Sequence, residues 1–171
     1  LKAYGMKAII FPVTDYVGHY PNYLTWEQMK EMQGNGIEFG SHTLNHVDLT
    51  TLDSPEDLQK QLADSKAALE WRLSCPITFL AYPGGSRNPS VIEALKSIGY
   101  RGAFTVDLGS DHVGDDMYEL HRIPIFGSNT HTLLRFKIRL LCPALVASLE
   151  NLQAGLERAG YERLARLLPV P

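Results

Sequence analysis

The sequence predicts an α/β fold in which helices cover a parallel β-sheet. Short apolar runs alternate with helical segments in the order β-α-β-α-β-α-β, which is the pattern of successive βαβ units. The polar segments rich in glycine and histidine all follow strands, as in β/α barrels, where the chemistry gathers at the carboxyl ends of the strands. An open doubly wound sheet would show the same bias. The 171 residues are enough for one domain with a substantial core.

The first three predicted elements are two strands on either side of a capped helix. Residues 7–13, KAIIFPV, form a short apolar run that is typical of a buried strand. Residues 25–36 predict a helix, because Thr25 is a suitable N-cap and Gln28, three residues later, completes a capping box. Residues 37–39, IEF, form the second predicted strand.

The middle of the chain repeats this alternation with strong helix-start signals. Residues 54–73 predict one long helix, with Ser54 as its N-cap and Pro55 as its first residue. Residues 77–81, ITFLA, predict the third strand. A second capped helix follows at 88–99, where an Asn-Pro pair opens the helix and a glycine ends it.

The last part of the chain predicts two strands and then helices. The strands are expected at 102–106 and at 120–126, with an acidic loop between them. From residue 130 onward the pattern is helical, with an interruption at Pro143, and it predicts one or two amphipathic helices. The apolar positions that recur there at helical spacing are Leu145, Leu149, Leu152 and Leu156.

Composition argues against several classes of protein. The net charge is -3 without a long basic run, which argues against binding to nucleic acid. No stretch approaches the roughly 18 apolar residues of a membrane span. No signal peptide is visible at Leu1, and since this residue is not Met we expect a processed product or a fragment. Cys75 and Cys142 are far apart in sequence, so a disulfide between them stays open.

A pair of histidines, His42 and His46, follows the second strand directly. In a helical turn, residues four apart lie on one face, so both rings could reach one point. Neutral imidazole is a common ligand for zinc and similar metals. The spacing alone is weak evidence, and the position after a strand strengthens it. The alternative is an α/β scaffold that binds no metal, in which the two rings point away from each other.

Two further loops carry candidate functional groups. AYPGGSRNP at 81–89 places two glycines after Pro83, so a substrate could approach the main chain and an N–H could donate to an oxyanion. The same residues also suit an ordinary strand-to-helix turn. TDYVGHY at 14–20 suits either a sugar-binding groove or a packed loop. Its candidate side chains are Asp15, Tyr16, His19 and Tyr20.

His121 and Arg122 are adjacent in the late strand LHRIPI. In a strand, neighbouring side chains point to opposite faces, so at most one of the two faces a barrel interior. An inward-facing charge is costly unless it is paired, which makes such a residue a functional candidate.

The order of these segments resembles the polysaccharide deacetylase domain, which is also called the NodB-homology domain or carbohydrate esterase family 4. GSHTLNHVDLTTL at 40–52 is similar to the second motif of that family, and FLAYPGG at 79–85 is similar to the third. SIGYRGAFT and LHRIPI resemble the segments that follow. The resemblance implies a distorted (β/α) barrel over residues 1–127, with 128–171 as a helical segment that packs on it. It also implies removal of N-acetyl groups from a glycan with a divalent metal.

The chain departs from the family pattern at three places. No Asp-Asp-Gly occurs in it, and in the family this first motif supplies the general base and a third metal ligand from the first strand. We therefore expect a barrel that is incomplete at its N-terminus and a fragment that is inactive alone. Ala81 stands where many relatives carry an arginine that braces the base, a role that Arg122 could take. The fifth motif, Leu-x-His, is not clearly present, since His121 directly follows Leu120.

The resemblance implies a set of site residues and partners. The metal, zinc first and cobalt or nickel otherwise, is assigned to His42 and His46. Catalysis is assigned to His121 as acid, to Arg122, and to Gly84, whose N–H would stabilise an oxyanion. Substrate contacts are assigned to Asp15, Tyr16, Tyr82 and Pro83.

The expected partner is an N-acetylated aminosugar polymer, at the cell envelope or outside the cytoplasm. Self-association through an unpaired barrel edge is also expected. The alternative function is a non-catalytic carbohydrate-binding domain derived from a deacetylase.

Overall fold

The computed structural model describes residues 1–125 and 132–168. In the first two thirds of the chain four strands alternate with helices, a fifth strand follows the fourth with no helix between them, and helices follow in the last third. The strands are β1 (Ala8–Ile10), β2 (Ile37–Phe39), β3 (Phe79–Ala81), β4 (Gly102–Leu108) and β5 (Leu120–Arg122). The helices are α1 (Trp26–Gly34), α2 (Pro55–Gln59), α3 (Ser65–Leu73), α4 (Pro89–Ile98), α5 (Leu133–Leu141), α6 (Pro143–Arg158) and α7 (Glu162–Ala165).

The predicted parallel sheet is confirmed. β1 and β2 pair in parallel, with Ala8 opposite Ile37, and β3 and β4 pair in parallel, with Phe79 opposite Gly102. A single parallel bridge between Ser41 and Leu80 connects the end of β2 to β3. The strands thus neighbour one another in chain order, as in a β/α barrel. Among the described residues they form sheets of two and three strands, and no closed barrel is present.

The predicted helix starts are also confirmed. The Thr25 hydroxyl accepts a hydrogen bond from the backbone N–H of Gln28, and the Gln28 side-chain oxygen accepts one from the backbone N–H of Thr25, so the capping box is complete. Ser54 caps α2 with Pro55 in the first turn. Asn88 caps α4 through the backbone N–H of Val91. These interactions are local, which is why the sequence alone predicts them.

The long helix predicted at 54–73 contains a turn that the sequence pattern did not indicate. Between α2 and α3, residues Lys60–Asp64 form a π-helical turn. Such turns widen the helix by one residue and recur near functional sites. The buried face of the combined segment still runs along it, through Leu58, Leu62, Leu69 and Leu73.

The chain divides into two compact units. The first comprises Leu1–Thr105 with Asp116–Leu120, and the second comprises Val106–Asp115 with His121–Pro171. The predicted boundary at 127, between a barrel and a helical segment, stays a prediction. Residues 126–131 and 169–171 lie outside the described part of the chain. They include the last residue of the strand predicted at 120–126 and parts of the segment predicted at 128–171.

The first unit holds the main apolar core. The core includes side chains from α1, α3, α4 and the strands, and most of them are almost fully buried. Its largest members are Met29, Leu49, Leu62, Leu69, Ile77, Leu80, Tyr82, Leu95 and Tyr100.

In the second unit, the predicted leucine stripe of the last helices is only partly buried. Val146 is the fully buried side chain of α6, whereas Leu145 and Leu152 are more than half exposed. Arg139 of α5 is buried instead, and it donates to the Glu150 carboxylate at 2.5 Å and to the Pro124 carbonyl at 3.3 Å. A charged side chain, Arg139, is therefore buried in this part of the chain and paired with Glu150, which the apolar periodicity did not predict.

Cys75 and Cys142 are free thiols that form no disulfide. No described helix is long and apolar enough to cross a membrane. Self-association through a strand edge stays a prediction.

The close packing at Gly40 gives a stability prediction. A Cβ added there would lie 2.8 Å from the backbone oxygen of Phe79 and 2.6 Å from Cδ1 of Phe11. Gly40→Ala should therefore lower the free energy of unfolding by about 1–3 kcal/mol through overpacking, measured by urea denaturation. Gly34→Ala is the matched control, because no atom lies within 4 Å of that Cβ. It should leave stability unchanged or raise it by up to about 1 kcal/mol. Equal effects at both positions would contradict this account of the packing.

Candidate functional site

The loop that carries the two histidines leaves the sheet between β1 and β3. The N–H of Gly40 donates to the Ile10 carbonyl at 2.9 Å, and the N–H of His42 donates to the Pro12 carbonyl at 3.1 Å. On the other side, Ser41 donates to the Phe79 carbonyl at 2.9 Å. The first residues of the loop are therefore held by backbone hydrogen bonds from both neighbouring strands.

The loop is not helical, which corrects the reason given for the spacing of the two histidines. Thr43 and His46 both adopt left-handed backbone conformations, with φ of 66° and 64°. A β-branched residue such as threonine rarely adopts this conformation. The N–H of His46 donates to the hydroxyl of Thr43 at 3.1 Å. It is this turn, and not a helix face, that brings the two side chains together.

The two imidazole rings face one common space. Their centroids are 4.8 Å apart and the ring planes meet at 77°. Both rings line one cavity of about 580 Å³. The two rings therefore do not point away from each other, and metal binding by the pair stays a prediction. His42 is half-buried, and His46 is exposed to solvent.

A backbone carbonyl fixes the orientation of His42. Its Nδ1 lies 2.7 Å from the Ala81 oxygen, and because a carbonyl oxygen only accepts, Nδ1 must carry the proton. In the neutral ring the lone pair then lies on Nε2. A carbonyl partner of this kind holds metal-binding histidines in position and sets their tautomer. Ala81, which the sequence marked only as a departure from the family pattern, thus contributes through its main chain.

The donor set suits a divalent metal but is incomplete in the described part of the chain. Two neutral imidazoles in one cavity are appropriate ligands for zinc. Catalytic zinc sites normally use three protein ligands and keep one open position. Within residues 1–125 and 132–168, no cluster of three or more His, Cys, Asp or Glu side chains is present.

Apolar and aromatic side chains form most of the remaining cavity wall. Tyr16 and Tyr23 line it together with Asn22. Tyr16, Tyr20 and Tyr23 form an aromatic cluster whose ring centroids are 5.0–5.8 Å apart. Tyr16 also donates to the Asn45 carbonyl of the histidine loop at 3.3 Å. Tyr23 and Asn22 were not predicted, because loop residues without a recognisable motif give no sequence signal.

Asp15 and His19 lie close to this wall without lining the cavity. The N–H of Asp15 donates to the Leu44 carbonyl at 2.8 Å, so its main chain supports the histidine loop. His19 Nδ1 donates to the Asp15 carbonyl at 2.6 Å. The carboxylate of Asp15 is exposed, and its predicted contact with substrate stays a prediction.

The Pro-Gly-Gly loop requires a correction. Tyr82 is 1% exposed, and its hydroxyl donates to the Tyr118 carbonyl at 2.9 Å. Burial raises the pKa of this hydroxyl. Pro83 is buried as well. A direct substrate contact by either side chain is therefore wrong, because both pack in the interior. Gly84 is exposed with φ of 63°, and no atom lies within 4 Å of where a Cβ would be, so its main chain is accessible.

His121 and Arg122 belong to the second unit, where each has its own surroundings. His121 is exposed and its Nδ1 lies 2.7 Å from the Asp111 carboxylate. Burial acts to raise the pKa of Asp111, but hydrogen bonds from His121 outweigh it and hold that pKa below its ordinary value. Arg122 is half-buried, and burial lowers the pKa of its guanidinium. Their catalytic roles stay predictions.

Comparison with known proteins supports the family resemblance. A family model described as polysaccharide deacetylase matches residues 1–103. The putative polysaccharide deacetylase YxkH of Bacillus subtilis is 38% identical over 125 residues, which are 73% of this chain and 44% of that protein. The peptidoglycan-N-acetylglucosamine deacetylase of Bacillus cereus is 33% identical over 59% of this chain and 44% of that protein.

A solved structure with a similar fold agrees with this. The Streptococcus pyogenes deacetylase PplD, solved in complex with acetate, superimposes with a TM-score of 0.71 and 30% identity. The match covers 78% of this chain and 60% of PplD.

The chain therefore belongs to the polysaccharide deacetylase family, carbohydrate esterase family 4. It spans less than half the length of the two curated relatives named above.

The hydrogen bond between His121 and Asp111 gives a prediction about pH. The ionised Asp111 is favoured in the folded state, so its contribution to stability is present above the unfolded pKa of about 3.9 and is lost as the pH falls through the lower folded value. His121→Ala removes the imidazole donor but keeps the backbone N–H that also donates to Asp111. The pKa of Asp111 should therefore rise part of the way toward its ordinary value, measured by NMR of the carboxyl carbon. Asp48 is the internal control, because its low pKa comes mainly from hydrogen bonds to Thr50 and should not move. An Asp111 pKa that is unchanged in the variant would show that the imidazole of His121 does not lower it.

Proposed function

We propose that the chain acts in the removal of N-acetyl groups from an aminosugar polysaccharide, with a divalent metal held by His42 and His46. The observation that carries this proposal is the pair of rings, 4.8 Å apart in one cavity. The Ala81 carbonyl orients one of these rings. Zinc is the first candidate, with cobalt or nickel as alternatives, because imidazole nitrogen binds all three.

A bound metal would supply Lewis-acid polarisation of the acetamide carbonyl and would activate water for attack. The chain's own groups have separate tasks. Ala81 holds the tautomer of His42, so that Nε2 is its available lone pair. The N–H of Gly84, on an accessible main chain, would donate to the negative charge that develops on the acetyl carbonyl oxygen when water attacks its carbon. General-acid action by His121 and bracing by Arg122 are kept as predictions from the sequence.

Two imidazoles alone would hold a metal weakly. We therefore propose that the complete site takes its third ligand and its general base from carboxylates that do not lie beside this pair in the described residues. The absence of Asp-Asp-Gly from the sequence agrees with that proposal. The proposal also explains how a member of the deacetylase family can have only two metal ligands together in its described residues.

The tyrosine cluster supports a polymeric sugar as the substrate. Tyr20 and Tyr23 are about half exposed, at 53% and 49%, and aromatic faces with polar edges suit binding sites for ligands with both apolar and polar surfaces. The name of the Bacillus cereus relative indicates that it acts on the N-acetylglucosamine of peptidoglycan. We propose a substrate of this class for the present chain, at the cell envelope.

A zinc-binding measurement tests the assignment of the metal to His42 and His46. The wild-type chain should bind zinc in competition with a chromophoric chelator, and His42→Ala or His46→Ala should weaken this binding about tenfold or more, since each removes one of two ligands. His112→Ala is the matched control, because that histidine is exposed in the second unit. Zinc binding that survives both single substitutions would contradict the assignment of the site.

Activity tests the second part of the proposal. Acetate release from chito-oligomers, with zinc, cobalt or nickel added, should be at least about 10²–10⁴ times slower for the 171-residue chain than for a full-length relative, because a catalytic base is missing. Turnover comparable to that of the relative would show that another residue of this chain, such as Asp15 or His19, supplies the base.

A non-catalytic carbohydrate-binding domain is the second candidate function. The incomplete donor set and the exposed tyrosines both favour it. Two results together would favour this candidate. The chain would bind chito-oligomers equally well with and without a chelator, and it would release no acetate after a first motif with its carboxylates is supplied by fusion. Acetate release restored by the fusion would favour the enzyme.

A further inference from the structure

We propose that Ser65 is a positioning residue that fixes the histidine loop, residues 40–46, and thereby the two rings. This inference rests on the proposed function of that loop. Ser65 is 0% exposed and lies on the buried face of the long helix, between Leu62 and Leu69, where the periodicity predicts an apolar side chain. A buried polar group at an apolar position is informative, because its burial is costly unless hydrogen bonds compensate for it.

Ser65 connects two other buried hydroxyl groups. Its Oγ lies 2.7 Å from Oγ1 of Thr14 and 2.7 Å from Oγ of Ser41. Thr14 is 6% exposed and Ser41 is 0% exposed. The three hydroxyls come from three separate segments: the turn after β1, the loop after β2, and the start of α3. Ser65 is the central member, so its hydroxyl links the helix to both loops at once.

The chain of hydroxyls continues into the strained part of the loop. Ser41 Oγ accepts a hydrogen bond from the N–H of Thr43 at 3.2 Å. The carbonyl of Thr43 accepts from the N–H of Thr14 at 3.1 Å. Thr43 therefore contacts two of the three members of the hydroxyl chain, one at each end of Ser65.

The backbone of the loop needs such support. The left-handed conformations of Thr43 and His46 are unfavourable and persist only where the surroundings impose them. His46 depends on Thr43, because its N–H donates to the Thr43 hydroxyl. Without the hydroxyl of Ser65, Ser41 and Thr14 each lose a buried partner, and the restraint on Thr43 weakens at both points. The two imidazoles would then lose their common orientation.

The π-helical turn lies immediately before Ser65. The turn Lys60–Asp64 ends there, and the N–H of Ser65 donates to the Leu62 carbonyl. The same carbonyl accepts from the Tyr100 hydroxyl at 3.0 Å. A wider turn rotates the residues that follow it relative to a regular α-helix. This irregularity therefore sets the direction in which Ser65 faces the two loops.

Amide hydrogen exchange, measured by NMR on the metal-free chain, tests the proposal. Ser65→Ala should speed exchange at the amides of Thr43 and His46 by tenfold or more relative to the Ala103 amide of β4. Ser65→Cys, which keeps the side-chain volume but is a weak hydrogen-bond donor, should have the same effect without a cavity. Ser65→Thr, which restores a hydroxyl, should slow exchange again. Val91→Ala is the matched core control, because it removes buried apolar volume on α4 and no hydroxyl.

The outcomes separate positioning from general stability. Loop-specific acceleration in the Ala and Cys variants, absent from Val91→Ala, supports the proposal. A uniform acceleration equal to that of Val91→Ala would overturn it, because Ser65 would then matter only for the core. Zinc affinity gives a second readout and should fall about 10- to 100-fold in Ser65→Ala. If the wild-type chain binds no zinc, the proposed function fails, while the exchange data still decide the role of Ser65.

Discussion

The hydrogen bonds at Ser41 are the constraint on which the site depends. The N–H of Ser41 donates to the Phe79 carbonyl, and its carbonyl accepts from the N–H of Ala81, each at 2.9 Å. These two bonds connect the end of β2 to β3 just where the histidine loop begins. They place Ala81 beside His42, so that its carbonyl can accept from Nδ1. The segments around Gly40 and Phe79 approach so closely that only glycine fits at position 40 without displacing the Phe79 backbone.

Around this connection, the structure combines a regular framework with an irregular functional loop. The helices begin at conventional caps and bury their apolar faces in one core. The loop that carries His42 and His46 relies instead on buried hydroxyls and unfavourable backbone angles. Such strain is common at binding and catalytic sites, where the surrounding fold supplies the stability that the loop lacks.

The sequence predicted the features that depend on local interactions or on a motif with fixed spacing. The capping box of Thr25 and Gln28 and the parallel order of the strands are of this kind. The left-handed turn at Thr43 was not predictable, because threonine rarely adopts it and only tertiary hydrogen bonds impose it. The family resemblance assigned Tyr82 to substrate contact, but an aromatic ring at that position can also pack inward. In the structure its hydroxyl donates to the Tyr118 carbonyl in the interior.

Membership of the deacetylase family and the two-histidine cavity point to one central claim, that both rings bind a single divalent metal. X-ray absorption at the zinc edge of the zinc-loaded chain tests it most directly. The account predicts two imidazole nitrogens at about 2.0–2.1 Å, with oxygen ligands completing the shell, and one fewer imidazole in either His42→Ala or His46→Ala. A spectrum with sulfur ligands, or with an imidazole count that neither substitution changes, would contradict it.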